Sequence, residues 1–286
     1  MSKWRIGDVT VTKIIELEAT GGSRFILPQA TPEAVQSYRW MHPHFMDENG
    51  RLKMSIHALV VEAPGRRIIV DTCIGNDKQG RRIPGWNNLH GSFLRDLGAA
   101  GFPRESIDTV LCTHLHVDHV GWNTMKVGGK WVPTFPQARY LIGRAEFDYW
   151  HSQRDNEEQR GVFADSVEPI FAAGLVDRVG TDHRLCPEIK LVPTLGHTPG
   201  HVSVQIESKG ARGLITGDFI HHPCQLARPD WASNADYDKD ASTRTRQAMF
   251  ASLAGTPTLV IGTHFATPTA GHIVRDGDAF RLDVSG

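Results

Sequence analysis

The sequence predicts a layered α/β protein, and three observations carry that expectation. Short β-rich runs alternate with helix-spaced runs in a strand, helix, strand order. Several strand-like runs end on His or Asp where Gly or Pro turns the chain, as at Asp71, His114, His197, Asp218 and His264. The 286 residues, 40% hydrophobic and 22% charged, suffice for a substantial core in one domain spanning residues 1–286.

Residues 9–17 are β-rich and open the fold. An irregular excursion follows over about 21–49, holding Pro28, Pro32 and Pro43 together with Phe25, Trp40, Phe45 and Met46. A short helix from Pro32 to about Trp40, capped by Thr31, fits its centre. Residues 55–62 and 67–71 read as strands of a hairpin whose turn is Ala63-Pro64-Gly65-Arg66. Phe93, Leu94 and Leu97 give residues 89–100 a helical spacing, and Gly101 and Pro103 stop it. Residues 107–112 form a buried strand, residues 137–142 another, and residues 144–150 and 162–173 two helices separated by a polar surface run over 152–160. Later strands end at Thr194, Asp218 and His264.

The strand over 107–112 runs into Thr113-His114-Leu115-His116-Val117-Asp118-His119. In extended backbone alternate side chains share a face, so His114 and His116 point into one site while Leu115 enters the fold. Asp118 and His119 lie where Val120-Gly121-Trp122-Asn123 turns the chain, and can serve a second metal position. Imidazole and carboxylate suit zinc and its neighbours, and no Cys lies in the cluster to favour a closed structural site.

A net charge of −1 lacks the basic footprint of a nucleic-acid binder. Cys73, Cys112, Cys186 and Cys224 have no C-x-x-C spacing and read as reduced core residues. The first residues hold no apolar signal core, and no stretch reaches the roughly 18 apolar residues of a membrane helix. The expected setting is cytoplasmic, or periplasmic if a signal peptide has been removed.

The pattern H-x-H-x-D-H over 114–119, followed by Gly196-His197-Thr198-Pro199-Gly200-His201, Gly217-Asp218 and Thr263-His264, resembles the metallo-β-lactamase superfamily from about Asp71 to His264. That resemblance implies a four-layer αββα sandwich with two divalent ions, zinc expected. It implies His114, His116 and His197 on one metal, Asp118, His119 and His264 on the other, and Asp218 between them. It makes His201 a structural neighbour, while Asp71 is expected to steady the metal loop rather than bind. Two ions roughly 3.5–4 Å apart supply hydroxide near neutral pH and polarise the electrophilic oxygen of a carbonyl or phosphoryl centre.

Departures narrow the chemistry. Class B β-lactamases generally lack the full H-x-H-x-D-H, and superfamily nucleases need basic surface or an added domain. Glyoxalase-like thioesterases use late cations, for which Arg244, Arg246 and Arg275 are the candidates. The run Asp218-Phe219-Ile220-His221-His222, with Thr263-His264-Phe265 and Gly271-His272, is most similar to the branch of methyl parathion hydrolases and lactonases. Acyl-homoserine lactonases of that group often carry Tyr three residues after the bridging Asp, where this chain has His221. The expectation is a dinuclear zinc hydrolase of small uncharged esters, lactones first, with aryl esters or phosphotriesters, a thioesterase, and a non-catalytic metal-stabilised binding protein as alternatives. Asp118, Asp218 and His221 are its catalytic candidates, with either His221 or His222 open to a mere packing role. The partner is a small ester or lactone, without nucleic acid or membrane, and a homodimer is open. The large apolar residues of the excursion cover the core, meet another subunit or, as the family's variable segments suggest, wall the substrate pocket.

Overall fold

The computed structural model describes residues 2–153 and 155–285. The chain forms two compact units: Lys3–Glu16 with Ile56–Thr181, and Leu17–Ser55 with Asp182–Gly286.

The sheet of the first unit contains β1 (Lys3–Ile6), β2 (Val9–Thr20), β3 (Lys53–Ala63), β4 (Arg66–Val70) and β5 (Thr109–Leu111). After a hairpin of β6 (Thr124–Val127) and β7 (Lys130–Pro133), it is completed by β8 (Arg139–Gly143) and β9 (Val176–Val179), in the order β1-β2-β3-β4-β5-β8-β9. From β4 onward the pairing is parallel, and Ile68, Ile69, Val110, Leu111, Tyr140 and Ile142 are buried, as central parallel strands require. The expected hairpin of β3 and β4 forms, with Gly65 at φ 70 in its turn.

Helices differ from expectation mainly at their ends. The helix foreseen over 89–100 is Phe93–Ala99. The one foreseen over 162–173 is Glu157–Val162, a wider turn over Phe163–Val167, and Glu168–Ala172. Pro169 explains the interruption, because it offers no amide to the preceding turn. Half of the expected polar surface run is thus helical, begun by Asn156 accepting the Gln159 amide at 3.1 Å; Arg154 of that run lies outside the described residues.

The second unit's sheet runs β10 (Arg184–Cys186), β11 (Ile189–Pro193), β12 (Val202–Ser208), β13 (Ala211–Ile215), β14 (Leu259–Ile261), β15 (Ala270–Asp276) and β16 (Ala279–Asp283), in that order. Among the described residues of this sheet, only β13 and β14 pair in parallel, and the helix Lys239–Leu253 lies in the crossover between them. Thr31 caps a helix as expected, its Oγ1 accepting the Ala34 amide at 3.3 Å. That helix stops at Val35, short of Trp40, since Tyr38 leaves helical dihedrals before a 3-10 turn over Arg39–Met41.

Phe45 and Met46 of the excursion are 1% and 5% exposed and join Leu214, Phe219, Phe250, Val260 and Phe265 in this unit's core. For these two, core covering replaces the expected role in a pocket wall. Trp40 packs against that core only partly, and Phe25 is 56% exposed. All four cysteines are free thiols; Cys73, Cys112 and Cys224 are buried and Cys186 is half-buried. No helix among the described residues is long and apolar enough to cross a membrane.

Candidate metal centre

In the first unit, four of the expected ligands follow β5. Asp71, just past β4, holds the loop: its Oδ1 accepts the Thr113 amide at 2.8 Å, and its Oδ2 accepts the Thr113 hydroxyl at 2.8 Å. Asp71 itself stands at φ 56, a left-handed backbone that turns its carboxylate under the loop at a cost on the order of 1 kcal/mol. Its steadying role is therefore visible in its contacts. It also accepts a hydrogen bond from His119 Nδ1 at 2.9 Å, which turns His119 Nε2 toward Asp118 Oδ1, 3.7 Å away.

The Thr113 hydroxyl, having donated to Asp71, accepts from His114 Nδ1 at 3.0 Å. His114 Nε2 then lies 3.1 Å from His116 Nδ1, so the two rings share one site as the alternation predicted. Leu115 is fully buried between them, as expected. Its amide donates to Glu146 Oε1 at 2.9 Å, an oxygen that also accepts the Trp150 indole N–H at 2.7 Å. Trp150 in turn meets the His116 ring edge-on, centroids 5.2 Å apart. Glu146 was not foreseen, because nothing local in its helix marks a carboxylate as buried.

In the second unit, His197, Asp218 and His264 come together around one carboxylate oxygen. Asp218 Oδ2 lies 3.2 Å from His264 Nε2, 3.4 Å from His221 Nε2 and 3.7 Å from His197 Nε2. His197 Nδ1 donates to Asp236 Oδ1 at 2.8 Å and His264 Nδ1 to the Ser55 carbonyl at 3.1 Å, so both rings turn Nε2 toward Asp218. Asp236, whose other oxygen accepts the Ser233 amide at 2.9 Å, is a second residue that sequence reasoning missed. His201 cannot be a ligand, since both its ring nitrogens are occupied by Thr194 and the Asp218 backbone. Gly217 beside it has φ 56, and a Cβ there would meet His201 Nε2 at 2.6 Å.

The two adjacent histidines left open by the sequence separate cleanly. His222 Nε2 donates to the Phe45 carbonyl at 2.8 Å while Nδ1 accepts the Cys224 amide at 3.0 Å, a packing role. His221 is fully buried, yet neither ring nitrogen has a hydrogen-bond partner among the described residues. Its ring stands parallel to His264 at 6.2 Å and edge-on to His197 at 4.8 Å. Burial pushes its pKa down to about 3 against the pull of Asp218, so the imidazole is neutral at pH 7. Burying such a ring unpartnered costs about 1–3 kcal/mol, which suits a group awaiting something the polypeptide does not supply.

His197, His221 and Asp236 also present ligand atoms within 4.8 Å of one another. Neutral imidazoles and carboxylates, without thiolate, make a donor set that fits a divalent ion of the zinc type. Arg246, considered for anion recognition, is instead buried, its guanidinium donating to the Phe219 carbonyl at 3.1 Å and the Pro229 carbonyl at 2.9 Å.

Comparison with known proteins follows the same line. The model of the family described as "Metallo-beta-lactamase superfamily" matches residues 53–264. An N-acyl homoserine lactonase of Bacillus sp is 28% identical over 123 residues, 43% of this chain and 42% of that protein. One of Bacillus cereus is 27% identical over 119 residues, 42% of this chain and 40% of that protein, so about two fifths of each relative is matched. Among solved structures, the hydrolase AbOPH of the beta lactamase superfamily superposes with a TM-score of 0.80 at 25% identity, covering 98% of this chain and 96% of that one. AidC, a dizinc quorum-quenching lactonase, superposes with a TM-score of 0.79 at 21% identity over 100% of this chain and 97% of that one, a likeness of fold.

Proposed function

Because this chain belongs to the metallo-beta-lactamase superfamily and shares its α/β fold, we propose that it is a metal-dependent hydrolase of small uncharged esters, with lactones such as acyl-homoserine lactones its first substrates. The observation that carries the reading is the buried Asp218 carboxylate with three imidazole nitrogens turned toward it. A buried carboxylate among neutral rings is costly by itself and is stabilised by a cation.

In this proposal His114, His116 and His197 hold one divalent ion, Asp118, His119 and His264 hold another, and Asp218 serves both, with zinc the expected metal. Bound there, such ions acidify water toward neutrality and polarise the oxygen under attack. The chain's own contribution is orientation. Asp71, Asp236 and the Ser55 carbonyl fix the rings of His119, His197 and His264 through their Nδ1 protons. Asp118 and Asp218 supply negative charge and proton acceptors at the reacting centre. His221, neutral near pH 7, offers an N–H to the substrate oxygen or leaving group.

The lactone preference draws on the lactonases among the relatives. A second reading, aryl esters or phosphotriesters, is favoured by His221 standing where lactonases often carry Tyr. With Arg246 buried, the thioesterase alternative loses one of its three candidate cations.

The test is a panel of lactones of varied acyl length, chromogenic esters and phosphotriesters, assayed with and without chelator alongside elemental analysis. About two metals per chain and chelator-sensitive turnover are expected, with both falling in Asp218→Asn. Fully loaded protein that turns over nothing in the panel leaves the non-catalytic alternative.

A further inference from the structure

Glu16, on β2, is half-buried against the loops at the ends of β4 and β5. Its Oε2 accepts the Ile74 amide at 2.7 Å. Its Oε1 accepts both the Gly75 amide at 3.0 Å and the Trp122 indole N–H at 2.6 Å. One carboxylate thus joins the segment after Asp71 to the segment after His119. Burial pushes Glu16 above the usual carboxylate range, and its three donors work against that rise.

The two segments it joins are already laced together. The Thr72 amide donates to the His119 carbonyl at 2.7 Å, the Gly121 amide to the Cys73 carbonyl at 2.8 Å, and the Trp122 amide to the Thr72 carbonyl at 2.7 Å. Gly121 packs so closely that a Cβ there would fall 1.8 Å from the Ile74 carbonyl oxygen. Trp122 stacks on Phe93, centroids 5.6 Å apart and 18° from parallel, which sets the indole plane while Glu16 sets its N–H. Cys73 takes φ 53, a left-handed backbone that a residue with a side chain adopts at a cost, next to the segment that receives Glu16.

We propose that Glu16 is a positioning residue for the metal-ligand loop, acting through the Ile74 and Gly75 amides and Trp122 to hold Asp118 and His119 in place. The inference rests on the hydrolase reading for the metal but on the first unit alone for the geometry. An isosteric amide is the sharpest probe, because Glu16→Gln keeps the volume and turns one acceptor into a donor facing a donor.

The experiment follows metal release from holoenzyme to a chelator, together with amide hydrogen exchange, in Glu16→Gln and in Trp122→Phe, which keeps the stack and removes one donor. Expected is release roughly 10- to 100-fold faster in Glu16→Gln, with a smaller effect in Trp122→Phe. Exchange should quicken over 72–75 and 119–123 but not over 202–215, and excess zinc should restore kcat with KM unchanged. Release within twofold of the unmodified enzyme overturns the proposal, as does exchange that quickens evenly throughout the chain with a general fall in Tm. Unmodified protein that takes up no metal refutes the hydrolase reading instead; the loop-ordering role is then judged by exchange alone, and unchanged exchange over 72–75 and 119–123 ends it.

Discussion

His201 holds Asp218 by its backbone: the ring Nε2 accepts the Asp218 amide at 2.7 Å, while Nδ1 lies 3.0 Å from the Thr194 carbonyl. The orientation of the Asp218 carboxylate therefore depends on a histidine that binds nothing outside the protein. His201→Ala leaves a buried amide and a buried carbonyl unsatisfied at once. Metal content and kcat/KM should both fall, the latter roughly 10- to 100-fold, as read by elemental analysis beside steady-state kinetics. Unchanged values in both would mean that the turn over Gly217–Phe219 needs no such support.

His221 and His222 should behave as opposites. His221→Ala is expected to lower turnover roughly 100-fold while metal content and Tm stay near those of the parent, because its ring nitrogens make no hydrogen bond within the described residues. His222→Ala should chiefly lower Tm, since it breaks the links to the Phe45 carbonyl and the Cys224 amide. Paired kinetics and thermal melts separate the two, and a turnover loss confined to His222→Ala would reverse the assignment.

Core and surface aromatic residues of the excursion are distinguished by denaturant. Phe45→Ala empties a site that is 1% exposed and should cost about 3–5 kcal/mol in urea unfolding. Phe25→Ala, at a residue 56% exposed, should stay within about 0.5 kcal/mol. A small loss at Phe45 would mean that this part of the core closes over the gap.

Lys78 should make stability depend on pH. It is buried, its ammonium donating to the Thr124 hydroxyl at 2.7 Å and the Asp165 carbonyl at 2.9 Å. Burial pushes its pKa down to about 7, opposed by the Asp165 charge and aided by Arg81, whereas the unfolded chain titrates near 10.4. Between those values the unfolded state binds a proton that the folded state does not. The contribution of Lys78 to stability therefore rises with pH across that window and is least below about pH 7, with a slope of at most about 1.4 kcal/mol per unit. Unfolding of the parent and of Lys78→Met, compared from about pH 6.5 to 9, should show the parent gaining on the variant. A constant difference would mean that Lys78 stays charged when buried.

The ligand candidates were legible because each sits at a strand end within a short motif. Alternation placed His114 and His116 together, and the order of Gly196-His197, Gly217-Asp218 and Thr263-His264 needed no knowledge of distant contacts. What orients them was not legible. Glu16 meets Trp122 across 106 positions, Asp236 meets His197 across 39, and Glu146 meets Leu115 across 31, with no local pattern marking any of these carboxylates as a partner of the ligand loops. Asp71 was the exception, since it too ends a strand. The helix interruption over Phe163–Val167 escaped because the apolar spacing continues through it, although Pro169 signals it in retrospect. His222 could not be told from His221 without the partner it finds at Phe45, 177 positions away.

β13 and β14 lie side by side in parallel, with Ile215 opposite Ile261, although the chain between them contains the helix Lys239–Leu253. Asp218 leaves from the end of one strand and His264 from the end of the other. Their separation is therefore set by ladder hydrogen bonds rather than by the intervening chain. The same holds for β4 and β5, where Val70 opposite Leu111 fixes Asp71 beside the histidine loop. Descendants of such a protein can lengthen, shorten or rewrite the excursion between paired strands through many generations while inheriting the spacing of the polar groups intact. A laboratory library aimed at altered specificity should therefore leave the strand ends, and Asp236 behind His197, as they are.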